Sequence, residues 1–132
     1  MIGLDTNILL RATLNDDPVQ SPVAQRLLQG LDQRHPGFVN LLVVMEFFWV
    51  LRSRYKLPHL RLARAIRDLL EVEFLEFEAL ETVGRALVAY ESRVADFADL
   101  VIALRNRELG LERTFTFDRG AARAIPSMEL LA

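Results

Sequence analysis

Met1-Ile2-Gly3-Leu4-Asp5-Thr6-Asn7 opens the chain and decides how the rest of it can fold. Residues 1–5 have the short apolar character of a buried strand, and they end on a carboxylate. Thr6 and Asn7 are residue types that cap helices, and the apolar spacing after them predicts a helix that ends before the loop at residues 15–18. A strand followed directly by a helix indicates an α/β fold.

The same alternation continues to the end of the chain. Predicted strands cover residues 38–40, 72–77, 114–117 and 128–131. One predicted helix is capped by Ser21, a second covers residues 42–55 and a third follows Leu57-Pro58. Two more cover residues 79–90 and 96–109, and the helix over 96–109 ends at Gly110. A helical stub is predicted at residues 121–123. Strands that alternate with helices require crossover connections, so we expect a parallel sheet covered on both faces. With 132 residues and no linker or repeat, the chain should form one domain over residues 1–132.

The composition excludes several classes of protein. The chain has no cysteine, which removes disulfide frameworks and zinc-thiolate sites. Residues 41–51 form the longest apolar stretch, which is too short to span a bilayer and contains Glu46. The N-terminus lacks the pattern of a secretory signal, so we expect a cytoplasmic protein. The net charge of −2 gives no general attraction to nucleic acid, so any such role must come from a specific site.

Carboxylates follow two of the predicted strands. Asp5 ends the first strand and Asp118 ends the strand at residues 114–117. Ligands of open parallel sheets bind in the crevice at the carboxyl ends of the strands. We therefore expect both side chains to face that crevice.

Glu46 is the sharper signal, because all other residues of the 41–51 stretch are apolar. This setting predicts a buried carboxylate, which would need a cation or hydrogen bonds. Asp96 and Asp99 lie three residues apart, on one face near the start of a predicted helix.

Several carboxylates brought together repel one another unless a cation offsets their charge, and hard divalent ions with oxygen ligands do this well. Mg²⁺ or Mn²⁺ is the natural cofactor. Such ions polarise a phosphate and activate water, so the chemistry does not need a histidine base. The acids therefore indicate a phosphodiesterase.

Each acid also has a purely structural interpretation. Asp5 and Asp96 could cap helices, and Asp118 could be a turn residue. Glu46 could pair with an arginine or lie on a helix surface. The adjoining aromatic residues 47–49 are expected in the core rather than as a platform for nucleobases.

The pattern resembles the PIN-domain ribonucleases, especially the VapC toxins of toxin–antitoxin pairs, over essentially the whole chain. The matching segments are Gly3-Leu4-Asp5-Thr6-Asn7, Glu46 with Trp49-Val50-Leu51-Arg52-Ser53-Arg54-Tyr55, Asp96-Phe97-Ala98-Asp99 with Leu100-Val101-Ile102-Ala103, and Thr116-Phe117-Asp118. The family often has small residues at the positions of Leu104-Arg105, so this departure affects the expected local packing and not the expected chemistry.

The resemblance implies a three-layer α/β/α fold and Mg²⁺- or Mn²⁺-dependent RNA cleavage. It implies homodimerisation, inhibition by a VapB-like antitoxin that covers the active site, and structured RNA such as tRNA or rRNA as substrate. Carried over by position, the catalytic and metal-binding residues are Asp5, Glu46, Asp99 and Asp118. The auxiliary residues implied are Asp96, Thr6, Asn7 and Thr116.

Two other classes remain open beside the endoribonuclease toxin. A catalytically silent PIN-like binding module would keep the fold and use the acids only as caps. A receiver-like signalling domain would need a lysine near its last strands, whereas Lys56, the only lysine, lies mid-chain.

Overall fold

In the computed structural model, which describes residues 1–132, one or two helices separate each strand from the next, in the order that the sequence predicts. The chain divides into two compact units, Met1–Leu80 and Glu81–Ala132. Every strand pair in either unit is parallel. The α/β class with parallel strand pairing is confirmed.

The first unit contains a three-stranded sheet in the order β1-β2-β3. Gly3 pairs with Phe38, and Phe38 pairs with Glu76, so β2 is the central strand. Its elements are β1 (Ile2–Gly3), α1 (Thr6–Leu14), α2 (Gln20–Gln29), β2 (Gly37–Val39), α3 (Leu41–Ser53), α4 (His59–Leu70) and β3 (Leu75–Phe77).

The second unit contains a two-stranded sheet in which Phe115 pairs with Glu129. Helix α5 begins at the boundary between the units. The elements are α5 (Leu80–Glu91), α6 (Phe97–Glu108), β4 (Thr114–Thr116), α7 (Arg119–Ala124) and β5 (Met128–Leu130). Gly110, with a φ of 89°, follows the end of α6 as predicted, because glycine adopts this left-handed conformation without steric cost.

Apolar side chains fill the interior of each unit. In the first unit, α1 packs against α2 and α3, and the fully buried residues include Leu9, Val39, Val44, Phe47, Leu51 and Ile66. In the second unit, the rings of Tyr90 and Phe97 meet edge to face at 5.9 Å. Each large side chain buried in this way contributes roughly 1.5–3 kcal/mol.

The start of α2 differs from the sequence prediction. Ser21 was expected to cap this helix, but it lies inside α2 and is fully buried, with Oγ accepting a hydrogen bond from the Asp17 N–H at 3.1 Å. Val19 occupies the N-cap position without a side-chain hydrogen bond, and Asp17, just before the helix, accepts from the N–H groups of Val19 and Gln20 through its Oδ1. A carboxylate two to three residues before these N–H groups reaches them more readily than a hydroxyl within the helix.

None of the seven helices combines the length and the apolar character needed to cross a membrane.

Gly37 provides a test of packing in the first unit. A Cβ atom added there would lie 3.0–3.1 Å from methyl groups of Leu4, Leu31 and Leu75, all of which are buried. We expect Gly37→Ala to lower the free energy of unfolding by about 1–3 kcal/mol through overpacking. Gly84→Ala is the matched control, since nothing lies within 4 Å of its added Cβ in helix α5. It should raise stability by about 0.5–1 kcal/mol in urea melts. Equal effects of the two substitutions would contradict this packing.

Asp17 makes stability depend on pH. Hydrogen bonds from the N–H of Gln20 and then of Val19 hold the pKa of Asp17 below its ordinary value. Its contribution is therefore complete above the ordinary carboxyl pKa of about 3.9 and is lost as the pH falls through the lower folded-state pKa. Asp17→Asn keeps an acceptor but not the charge, so urea melts should give this variant a weaker acid dependence than wild type. Identical pH profiles would remove Asp17 as a contributor.

Candidate active site

Asp5 follows β1 as predicted, but the expected buried strand over residues 1–5 is wrong in extent and burial, because β1 covers only Ile2–Gly3 and both residues are exposed. The N–H of Leu4 still donates to the carbonyl of Phe38, and Asp5 then leaves the strand in an extended conformation. Its Oδ1 accepts a hydrogen bond from the N–H of Thr6 at 2.8 Å, which makes Asp5 the cap of α1. This confirms the structural interpretation of Asp5 as a cap, whereas Thr6 and Asn7, which were also expected to cap the helix, form its first turn. The exposed Asp5 side chain has a second oxygen, Oδ2, without a protein partner.

Thr6 places an unpaired hydroxyl next to Asp5. Only 4% of the residue is exposed, and its Oγ1 has no hydrogen-bond partner. Burying a hydroxyl without a partner costs free energy, so this atom is an exception to the usual pairing of buried polar groups. Asn7, by contrast, is exposed on α1.

Glu46 is exposed on α3, which corrects the prediction that its carboxylate is buried. It makes no hydrogen bond or ion pair. The apolar flanks misled the prediction because only one face of α3 is buried, formed by Val44, Phe47, Phe48 and Leu51. Leu42 and Trp49, on the same side as Glu46, are 79% and 56% exposed. Apolar sequence around an acid therefore does not bury it here, and the expectation that Trp49 belongs to the core is also wrong.

Two polar residues at this edge of the sheet were missed. Asn40 follows β2, and its Oδ1 accepts from the N–H of Val43 at 3.0 Å. Glu78 follows β3, and its Oε1 accepts from the N–H of Leu41 at 3.0 Å. Both side chains anchor the start of α3, the helix that carries Glu46. The rule that selected Asp5, a polar residue directly after a strand, would have found them.

In the second unit, Asp96 and Asp99 lie at the start of α6. Asp96 occupies the N-cap position, but its side chain makes no capping hydrogen bond. Asp99 lies in the first turn and is half-buried. A negative charge there is favoured by the positive end of the helix dipole.

Asp118 follows β4 and caps α7. Its Oδ1 accepts from the N–H of Ala121 at 2.8 Å, while its own N–H donates to Thr116 Oγ1 at 3.0 Å. A Cβ atom at position 120 would come within 3.3 Å of Oδ1, so Gly120 leaves room for the carboxylate. Oδ2 of this exposed side chain has no protein partner.

The four acids divide between the two units. Asp5 and Glu46 belong to the first unit, and Asp99 and Asp118 to the second. No group of three or more His, Cys, Asp or Glu side chains is placed to hold a metal ion. The donor chemistry nevertheless fits a hard divalent cation, because Asp5, Glu46 and Asp118 each have at least one free carboxylate oxygen. Metal binding by the four acids stays a prediction.

Carboxylates at the ends of parallel strands define an α/β protein with a candidate acidic site. A model of the PIN domain family matches residues 2–125, so the chain belongs to the PIN domain family. Nucleases of this family generally use divalent metal ions. A crystal structure of VapC20 from Mycobacterium tuberculosis, described as a Sarcin-Ricin loop cleaving toxin, is similar to the chain, with a TM-score of 0.47 and 20% identity over 95% of each chain. Comparison with curated proteins finds no match.

The Thr6 hydroxyl can be tested by Thr6→Val, which replaces an unpaired buried polar group with a methyl group of similar size. We expect the free energy of unfolding to rise by about 1 kcal/mol in urea melts. Thr13→Val, at an exposed position of the same helix, should give no such gain. A loss of stability in Thr6→Val would mean that the hydroxyl has a hydrogen-bond partner in solution.

Proposed function

We propose that the chain is a divalent-metal-dependent endoribonuclease that hydrolyses RNA phosphodiester bonds. The observation that carries this proposal is the PIN domain match over residues 2–125, a range that includes all four acids. Membership of this family favours an RNA-cleaving nuclease over the receiver-like alternative.

The proposed metal ligands and catalytic residues are Asp5, Glu46, Asp99 and Asp118, with Mg²⁺ or Mn²⁺ as cofactor. Asp5 and Asp118 support this assignment because a backbone N–H holds one oxygen of each carboxylate and leaves the other free. A carboxylate fixed in this way loses little side-chain entropy when it binds an ion. When bound, a divalent ion polarises the phosphate and lowers the pKa of water.

Glu46 contributes differently, because its exposed carboxylate has no partner on the protein. Its position depends on α3, whose first turn is held by Asn40 and Glu78. The proposed auxiliary residues are Asp96, Thr6, Asn7 and Thr116. Thr6 has the unpaired hydroxyl beside Asp5, and Thr116 fixes the turn that presents Asp118.

We further propose that residues 1–132 act as one ribonuclease domain, since the family match runs across both units. By family likeness, the protein would be the toxin of a type II toxin–antitoxin pair. It would act in the cytoplasm as a homodimer on structured RNA such as tRNA or rRNA, and a VapB-like antitoxin would inhibit it.

A catalytically silent PIN-like binding module is the second candidate. One feature favours it: Asp5 and Asp118 already serve as helix caps. In that case the acids would stabilise the fold without binding a metal.

A cleavage assay separates the two candidates. Purified protein, freed of any antitoxin, is incubated with tRNA and rRNA in Mg²⁺ or Mn²⁺, and in chelator. Asp99→Asn should lower the rate at least about 100-fold, because it removes a charged ligand of the ion that would stabilise the reacting phosphate. Asp68→Asn is the matched control, since Asp68 is an exposed helix acid of α4 paired with Arg64. It should cleave like wild type.

Thermal melts in chelator complete this test. Asp99→Asn should melt no lower than wild type, because the substitution relieves any repulsion among metal-free carboxylates. Cleavage by Asp99→Asn at the wild-type rate would indicate a contaminating nuclease. Absence of cleavage in either metal, together with unchanged metal affinity in Asp99→Asn, would favour the silent module.

A further inference from the structure

Helix α3 exposes an apolar face that the fold does not use. Leu42, Glu46 and Trp49 follow one another at helical spacing and are all exposed. Trp49 is the only tryptophan of the chain, and 56% of it is exposed. A tryptophan side chain presents a large, rigid apolar surface, so this exposed indole offers a broad contact area beside a proposed catalytic acid.

We propose that Trp49 is the platform on which an unpaired base of the RNA substrate stacks. The inference rests on the proposed nuclease function and names a subsite of it. Trp49 lies three residues after Glu46, so the Cβ atoms of the two residues are about 5–6 Å apart. A base held on the indole would bring its own backbone close to the Glu46 carboxylate.

The charges that follow Trp49 fit a nucleic-acid strand. Arg52 lies in the last turn of α3, Arg54 and Lys56 come just after the helix ends, and α3 has no acid after Glu46. Arg52 keeps its guanidinium against the protein, 5.0 Å from the centre of the Phe48 ring. Proteins that bind single strands combine aromatic side chains, on which bases stack, with positive charge that contacts the phosphates.

The same face fits a second copy of the chain less well. The centres of stable protein interfaces are depleted of charged residues. Here Glu46 lies between Leu42 and Trp49 and has no partner that would neutralise it. Covering this face with another protein surface would desolvate the carboxylate, whereas a nucleotide covers the indole alone.

The indole face also selects the kind of RNA. Bases within an A-form helix are stacked on their neighbours and have no free face, while bases in loops, bulges and single strands do. The subsite therefore takes an unpaired nucleotide.

Intrinsic fluorescence reports on this subsite directly, because Trp49 is the only indole. Antitoxin-free protein is titrated in chelator, which stops cleavage, with single-stranded oligoadenylate or with fully paired duplex RNA. We expect the single strand to quench the emission and the duplex to leave it nearly unchanged. Quenching in chelator is independent of catalysis, so it tests the subsite even if no RNA is cleaved.

Substitutions then separate stacking from simple apolar contact. Trp49→Leu keeps apolar area but has no aromatic face, and it should raise KM for an RNA substrate by about 5- to 150-fold, the range for losing one base–aromatic stack. Trp49→Phe should restore most of the loss, and the effect on KM should exceed that on kcat. Leu42→Ala, on the same face, is the matched control and should match wild type. Thermal melts check that every variant is folded.

Three results would overturn the inference. The first is an emission spectrum that changes with protein concentration and not with RNA, which would assign the face to a second copy. The second is RNA cleavage by Trp49→Leu with unchanged KM. The third is an equal loss in Leu42→Ala and Trp49→Leu, which would mean an apolar contact rather than a stack. The last two leave the proposed nuclease function intact.

Discussion

The first turn of a helix leaves backbone N–H groups that no residue of that helix can accept. In this protein, side chains at the ends of parallel strands accept hydrogen bonds from these groups. Asp5 does so for α1, Asn40 and Glu78 for α3, and Asp118 for α7. Because most of these strands run almost directly into a helix, the fold needs a short polar side chain at each junction.

That requirement explains why a carboxylate follows a strand in each unit. A carboxylate has two oxygen atoms, and capping a helix uses one of them. The Oδ2 atoms of Asp5 and Asp118 thus remain open to solvent while the backbone fixes the rest of the side chain. Structural and chemical interpretations of these aspartates are therefore compatible.

The order and type of the elements could be predicted from the sequence, because apolar periodicity and turn residues are local signals. Some boundaries differ from the prediction. The strand expected over residues 72–77 covers only Leu75–Phe77, because Phe74 has a φ of 62° that breaks the extended conformation. Caps were misassigned at Ser21 and Thr6, because Asp17 and Asp5 lie slightly earlier in the chain and have stronger acceptors. Which neighbour supplies a cap depends on loop geometry that residue type alone does not specify.

The sequence predicted where the acids of the candidate site lie along the fold more reliably than whether their side chains are buried. Asp5 and Asp118 do follow strands, but Glu46 is exposed, because tertiary packing decides which face of an apolar helix is covered. Unlike Asp5 and Asp118, Glu46 does not cap a helix. A lineage that lost catalysis would still be selected to keep Asp5 and Asp118 for stability, whereas nothing in the fold would retain an acid at position 46. Among relatives of this chain, that position would therefore be the most sensitive record of whether the proposed activity is kept.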